Sequence, residues 1–213
     1  MGLDWNPLAR PRDGHAEEFI QLFRALEDGA EGDDREKMLE RFHEISQAPF
    51  ELLGAPQVGF DAAADEWLRE SLRESGRLDE LPEAQAAMKG YYVLDLLPPC
   101  DGFPVYSNNG AYDGLDRYSF RAKFLDDVED VLGPELFGRA HQRMLAPELE
   151  EYGNRLLAIA ETFAESRGVA AMAHAADAPD DFGTDESRAH ILFSAARWCL
   201  YWARRGHGLE PWF

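Results

Sequence analysis

Lysine is almost missing from this chain of 213 residues: Lys37, Lys89 and Lys123 are the only three, so the 21 basic side chains are nearly all arginine. Against them stand 41 acidic side chains, for a formal charge of -20. Such a charge is repelled by phosphate backbones and anionic lipid surfaces, so direct nucleic-acid binding is not expected. Cysteine is scarce too. Cys100 and Cys199 lie far apart and form no Cys-x-x-Cys, which argues against a disulfide framework or a structural zinc site and for two reduced thiols. No segment approaches the roughly 20 apolar residues that span a bilayer. The opening MGLDWNPLARPRDGH has no signal-peptide core, and Asn6 breaks the myristoylation pattern. The expectation is a cytoplasmic protein with no membrane partner.

The loops that cradle phosphates are also lacking. Neither GxxxxGK[ST] nor GxGxxG occurs, and the one GxG, Gly206-His207-Gly208, follows a helical pattern instead of opening one. HExxH and GxSxG are absent. Within the acidic loop 174–185, residues 177–186 invite a calcium reading, but placing Gly183 sixth in an EF-hand loop puts Ala178 first and Ala189 last, where carboxylates are required. A ferritin-like di-metal site needs two Glu-x-x-His repeats on facing helices, whereas Glu40-x-x-His43 is the single instance. It reads as chance in a Glu-rich chain. No cofactor and no metal are expected, although scattered histidines on distant helices could still assemble a site.

Apolar residues at 45% and aromatics at 12% are a globular composition, so a packed core is expected. Helical spacing is clear over 15–28, with Asp13 as cap, and over 33–45. Asp61 precedes a third helix carrying Trp67, Leu68 and Leu72. Ser119 can cap a segment with Phe120, Phe124, Leu125, Val128 and Leu132, ended by Gly133, and helical pattern resumes at Pro134. Pro147 opens a helix with Leu149, Tyr152, Leu156, Ala160 and Phe163 on one stripe, closed by Gly168. Thr184 or Asp185 caps the last, running to Arg205. Residues 91–97, YYVLDLL, are rich in β-formers and read as a strand, although a short apolar run can equally be a buried helical turn. The expected fold is mainly α: a single domain over 1–213, a bundle of about six amphipathic helices with a short β element and a structured central loop. The tail GHGLEPWF ends in two aromatics and should dock on its own domain.

The densest run of Pro, Gly, Asn and Tyr is LPPCDGFPVYSNNGAYDG, 97–114. Its prolines and Asn108-Asn109-Gly110 are turn chemistry, and its aromatics can pack it as a structured surface loop with no further role. A functional reading sees hydrogen-bonding and nucleophilic groups concentrated on a rigid loop: Cys100, Asp101, Tyr106, Asn108 and Asn109, joined by His207 from the tail. As a nucleophile Cys100 would need a partner such as His207 or His174, and the adjacent Asp101 charge disfavours the thiolate. Trp198, Trp202 and Trp212 read as packing aromatics more readily than as a recognition patch.

Four stretches, MGLDWNPLARPRDGH, YYVLDLLPPCDGFPVYSN, YSFRAKFLDD and FSAARWCLYWARRGHGLEPWF, together resemble a family of uncharacterised bacterial proteins. That resemblance implies no activity or ligand. The segment GFPVYSNNGAYDG followed by a helix is similar to one in an acidic bacterial family that includes a DNA-mimic protein. The functional expectation is an acidic macromolecule-binding protein that meets a basic protein partner, as an immunity-type inhibitor or a DNA-mimic decoy. The competing expectation is an enzyme or small-ligand binder whose site is built from loop 98–112 and the C-terminal helix and tail. A deep pocket with converging polar groups would favour the latter, and a convex acidic face the former.

Overall fold

The computed structural model describes residues 2–29, 31–96, 119–175 and 178–213. In chain order the elements are β1 (Asp4–Leu8), β2 (Arg10–Pro11), α1 (Ala16–Glu27), α2 (Gly32–Glu44), β3 (Ser46–Gln47), α3 (Pro49–Leu53), α4 (Ala62–Glu74), α5 (Leu81–Ala87), α6 (Glu129–Arg139), α7 (Ala146–Arg167), α8 (Asp185–Ala203) and β4 (Gly208–Trp212). The protein is mainly helical. Among the described residues no helix is long and apolar enough to cross a membrane. The chain gathers into two compact units, one of Ala48–Cys100 and one of Met1–Gln47 with Asp101–Phe213.

In the larger unit α8 is the central element. From Ala189 to Ala203 only Arg197 escapes burial, and a helix that is apolar on every side has to be surrounded. Thr184 starts it, its hydroxyl accepting the Ser187 amide at 3.1 Å, the usual way an orphan donor at a helix start is satisfied. α7 packs along it. The two backbones come close at Gly153, where a Cβ would stand 2.9 Å from Cys199 Cβ. Pro147 sits in the first turn of α7, Glu148 accepts the Leu145 amide at 2.8 Å, and Gly168 ends the helix at φ 73°, as its sequence pattern suggested.

The two ends of the chain meet in a two-stranded antiparallel sheet, β1 with β4, in register Asp4 to Trp212 and Leu8 to Gly208. Each strand contains a proline, Pro7 and Pro211, at a position facing away from the partner. Trp5 turns its outer edge to Phe120, donating to its carbonyl at 2.8 Å and accepting its amide at 3.0 Å. Leu209 does the same with Met144, at 2.8 and 3.1 Å. By the alternation of a pleated strand, Pro7 shares the outer side with Trp5, and Pro211 with Leu209. The missing N–H therefore costs no ladder bond. Gly208 is required for another reason: a Cβ there would lie 2.0 Å from the Met144 carbonyl oxygen.

Trp5 is fully buried and holds this end together. Its Nε1 donates to the Ala140 carbonyl at 2.8 Å, and its ring meets Phe120, Trp198 and Tyr152 at 5.1, 5.7 and 5.9 Å between centroids. Such pairs add about 0.5–1.5 kcal/mol each beyond their area. A neighbouring cluster joins Leu8, Phe19, Phe23, Phe42 and Ile45, and there α1 and α2 stack Phe19 on Phe42 at 4.6 Å. The smaller unit is built on Val58, Ala64, Leu68, Leu72 and Val93. Asp61, the residue before α4, accepts the Gln57 amide at 2.7 Å, and Asp65 accepts that of Gly59 at 2.7 Å.

Several expectations are corrected. Residues 91–96 are not a strand: Tyr92 makes one isolated bridge to Gln57, and Leu94–Leu96 is a 3₁₀ turn. The segment after Ser119 is 3₁₀ and not α over Ala122–Val128, while the break at Gly133 (φ 72°), with a second helical run from Pro134, falls where the pattern put it. α1 begins after His15, with no cap from Asp13. The last helix stops at Ala203. Trp198 and Trp202 are core residues, whereas Trp212 is two-thirds exposed.

Candidate functional site

Of the six residues singled out as contacts, Cys100, Asp101, Tyr106, Asn108 and Asn109 lie outside the described residues, as does most of loop 98–112. His207 is described, and it is fully buried. Its Nδ1 stands 2.9 Å from the Leu8 carbonyl oxygen. A carbonyl only accepts, so Nδ1 carries the proton and Nε2 keeps a bare lone pair, which has no hydrogen-bond partner among the described residues. Burial, reinforced by the charges of Arg10 and Arg205, pulls the His207 pKa down to about 4 against the opposing pull of the Leu8 hydrogen bond. The imidazole is therefore neutral at physiological pH, wedged edge-on against Trp202 at 5.4 Å. It ties β4 to β1 and is out of reach of a partner.

Among the described residues the remaining chemistry-bearing groups are dispersed. Cys199 is buried, and desolvation raises its pKa well above that of a free thiol, the reverse of what a nucleophile needs. His174 is exposed at the end of a 3₁₀ turn, Ala170–His174. No group of three His, Cys, Asp or Glu side chains among the described residues is placed to hold a metal ion. A polar hollow between α6 and α7 is closed by its own pairs, Arg155 to Glu135 at 2.9 Å and Arg139 to Glu148 at 3.6 Å.

No family model matches this chain, and no curated protein or solved structure is similar to it.

Two surface features of the larger unit stand out. The first is the far end of the α1–α2 hairpin. Asp28, Glu31, Asp33, Asp34 and Glu36 are all exposed there and form no ion pair among the described residues, with Arg35 and Lys37 as the interspersed bases. Asp33 and Asp34 fall in the first turn of α2, where the helix dipole favours negative charge. Glu31, the residue before α2, shares that favourable end, whereas Asp28, at the close of α1, and Glu36 gain nothing from it. At the base of the hairpin, by contrast, charge is matched: Arg41 makes a two-pronged pair with Glu18 at 2.7 and 2.9 Å, which holds the Glu18 pKa well below its usual range.

The second is an apolar groove of about 290 Å³, walled by Leu8, Ala9 and Pro11, by Ala16, Phe19 and Ile20 of α1, and by Leu145–Pro147 at the start of α7. Its two charged members are Arg24 and Glu148. Sequence reasoning missed it because each wall residue, taken alone, looks like core.

Proposed function

We propose that the protein works by binding a basic macromolecular partner, in the manner of an immunity-type inhibitor or a decoy for a DNA-binding protein, with the end of the α1–α2 hairpin as the docking face. What carries this reading is the run of exposed carboxylates from Asp28 to Glu36, without ion pairs among the described residues, at the end of a helical hairpin. Matched ion pairs add little to recognition, whereas unmatched charges of one sign steer an oppositely charged surface and speed its encounter. The buried positions of His207 and Cys199 support it further, since neither presents a reactive group.

The test is a pull-down from an extract of its own cells, washed at low and at high salt, beside a variant carrying Asp28→Asn, Glu31→Gln, Asp34→Asn and Glu36→Gln. A stoichiometric basic protein that is released by salt and absent from the variant is the expected result. Recovery of the protein alone, or capture indifferent to the four substitutions, would overturn the reading.

A further inference from the structure

The groove beside β1 differs in kind from the acidic hairpin, and what it suggests stands independently of the partner reading. Its walls come from four separate stretches of chain, 8–11, 16–24, 145–148 and 206–208, and they are apolar apart from two side chains. Glu148 is occupied: one oxygen accepts the Leu145 amide at 2.8 Å and the other lies 3.6 Å from Arg139. Arg24 is exposed, and its guanidinium makes no ion pair or hydrogen bond within the described residues. Arg10, between the wall residues Ala9 and Pro11, also meets only neutral acceptors, the Gln47 side-chain oxygen and the Arg205 carbonyl. In a chain with twice as many acids as bases, an arginine at a groove mouth with no direct carboxylate partner among the described residues is open to an anion.

We propose that this groove binds a small aliphatic carboxylate, its chain against Phe19, Ile20, Leu8 and Leu145 and its carboxylate paired with the Arg24 guanidinium. The volume, about 290 Å³, falls at the lower edge of the range of roughly 300–1,000 Å³ typical of small-molecule sites, which suits a single short chain and not a nucleotide-sized cofactor. Arginine suits a carboxylate because its planar fork offers two parallel N–H donors. A cationic head would meet Arg24 unfavourably, and a neutral one would leave it unpaired.

Calorimetric titration of the full chain with sodium octanoate, octan-1-ol and octylammonium distinguishes these cases. Octanoate binds one to one, and octanol and octylammonium bind weaker by about fivefold or more. Arg24→Gln lowers octanoate affinity by a similar factor and leaves octanol unchanged. Ala16→Trp, at an exposed position in the first turn of α1, fills the groove and abolishes all binding. Far-UV circular dichroism verifies that both variants fold. No saturable one-to-one heat, equal affinity for the three head groups, or octanoate binding that survives either substitution unchanged would overturn the proposal.

Discussion

Acidification isolates what the burial of His207 costs. In the unfolded chain the imidazole titrates near the ordinary value of about 6.5; in the folded protein it titrates at about 4. Between the two, the unfolded chain takes up a proton that the folded one refuses, so stability fully present above pH 6.5 is lost as pH falls towards 4. The slope is about 1.4 kcal/mol per pH unit, and the loss reaches about 2.5 kcal/mol by pH ~4.5. Relief of the -20 charge acts in the opposite direction as carboxylates protonate, so the histidine is read by difference. His207→Gln supplies the comparison, since its amide can still donate to the Leu8 carbonyl but does not titrate. Urea unfolding followed by tryptophan fluorescence reports on the right core, because Trp5, Trp198 and Trp202 are buried in the same unit. Between pH ~7.5 and ~4.5 the native protein should lose about 2.5 kcal/mol more than the variant. Equal losses, or an imidazole found by NMR to titrate near 6.5, would refute the neutral, buried assignment.

Trp5→Phe keeps most of the ring packing but strips the donor from the buried Ala140 carbonyl, and should cost about 1–3 kcal/mol in denaturant unfolding. Gly208→Ala forces a methyl group onto the Met144 carbonyl; a loss of about 1–3 kcal/mol is expected, and an unchanged melting temperature would mean that the β1–β4 ladder shifts freely. Thr184→Ala removes the one side-chain acceptor at the start of α8 and should cost about 1 kcal/mol in the same assay.

Elements whose stabilising contacts are local were legible in the sequence. The stripe Leu149, Tyr152, Leu156, Ala160, Phe163 is buried along α7, because helical periodicity survives whatever the rest of the chain does. The caps at Gly168 and Thr184 likewise depend only on their own turns. The strands were not legible. β1 and β4 are five residues each, both interrupted by proline, and each pairs with a strand about two hundred residues away. The tail docks as expected, but not through the two aromatics that suggested it: Leu209 is the anchor, while Trp212 and Phe213 stay exposed. The break at Gly133 was legible for the same reason as the caps: a glycine after a helical stripe marks its end, and its left-handed φ bends the chain into the second helical run that Pro134 enters.

Site reasoning from the sequence rested on residue chemistry, and burial is what redistributes that chemistry. His207 looked like a polar group near the end of the chain. Its role was decided by Leu8, at the other end, whose carbonyl fixes the tautomer and whose strand helps to bury the ring. The formal charge misled in a similar way. A net charge of -20 describes the field felt by a distant partner, which sees the sum, and it points towards polycations. A ligand within a groove feels chiefly the charges inside a Debye length, about 8 Å at physiological salt. There Arg24 makes no ion pair among the described residues and Glu148 is already engaged. One acidic chain can thus present a surface suited to a basic partner and a groove suited to an anion. The two should differ in salt response: contact through several hairpin carboxylates weakens steeply with ionic strength, whereas a single arginine–carboxylate pair backed by apolar burial weakens little.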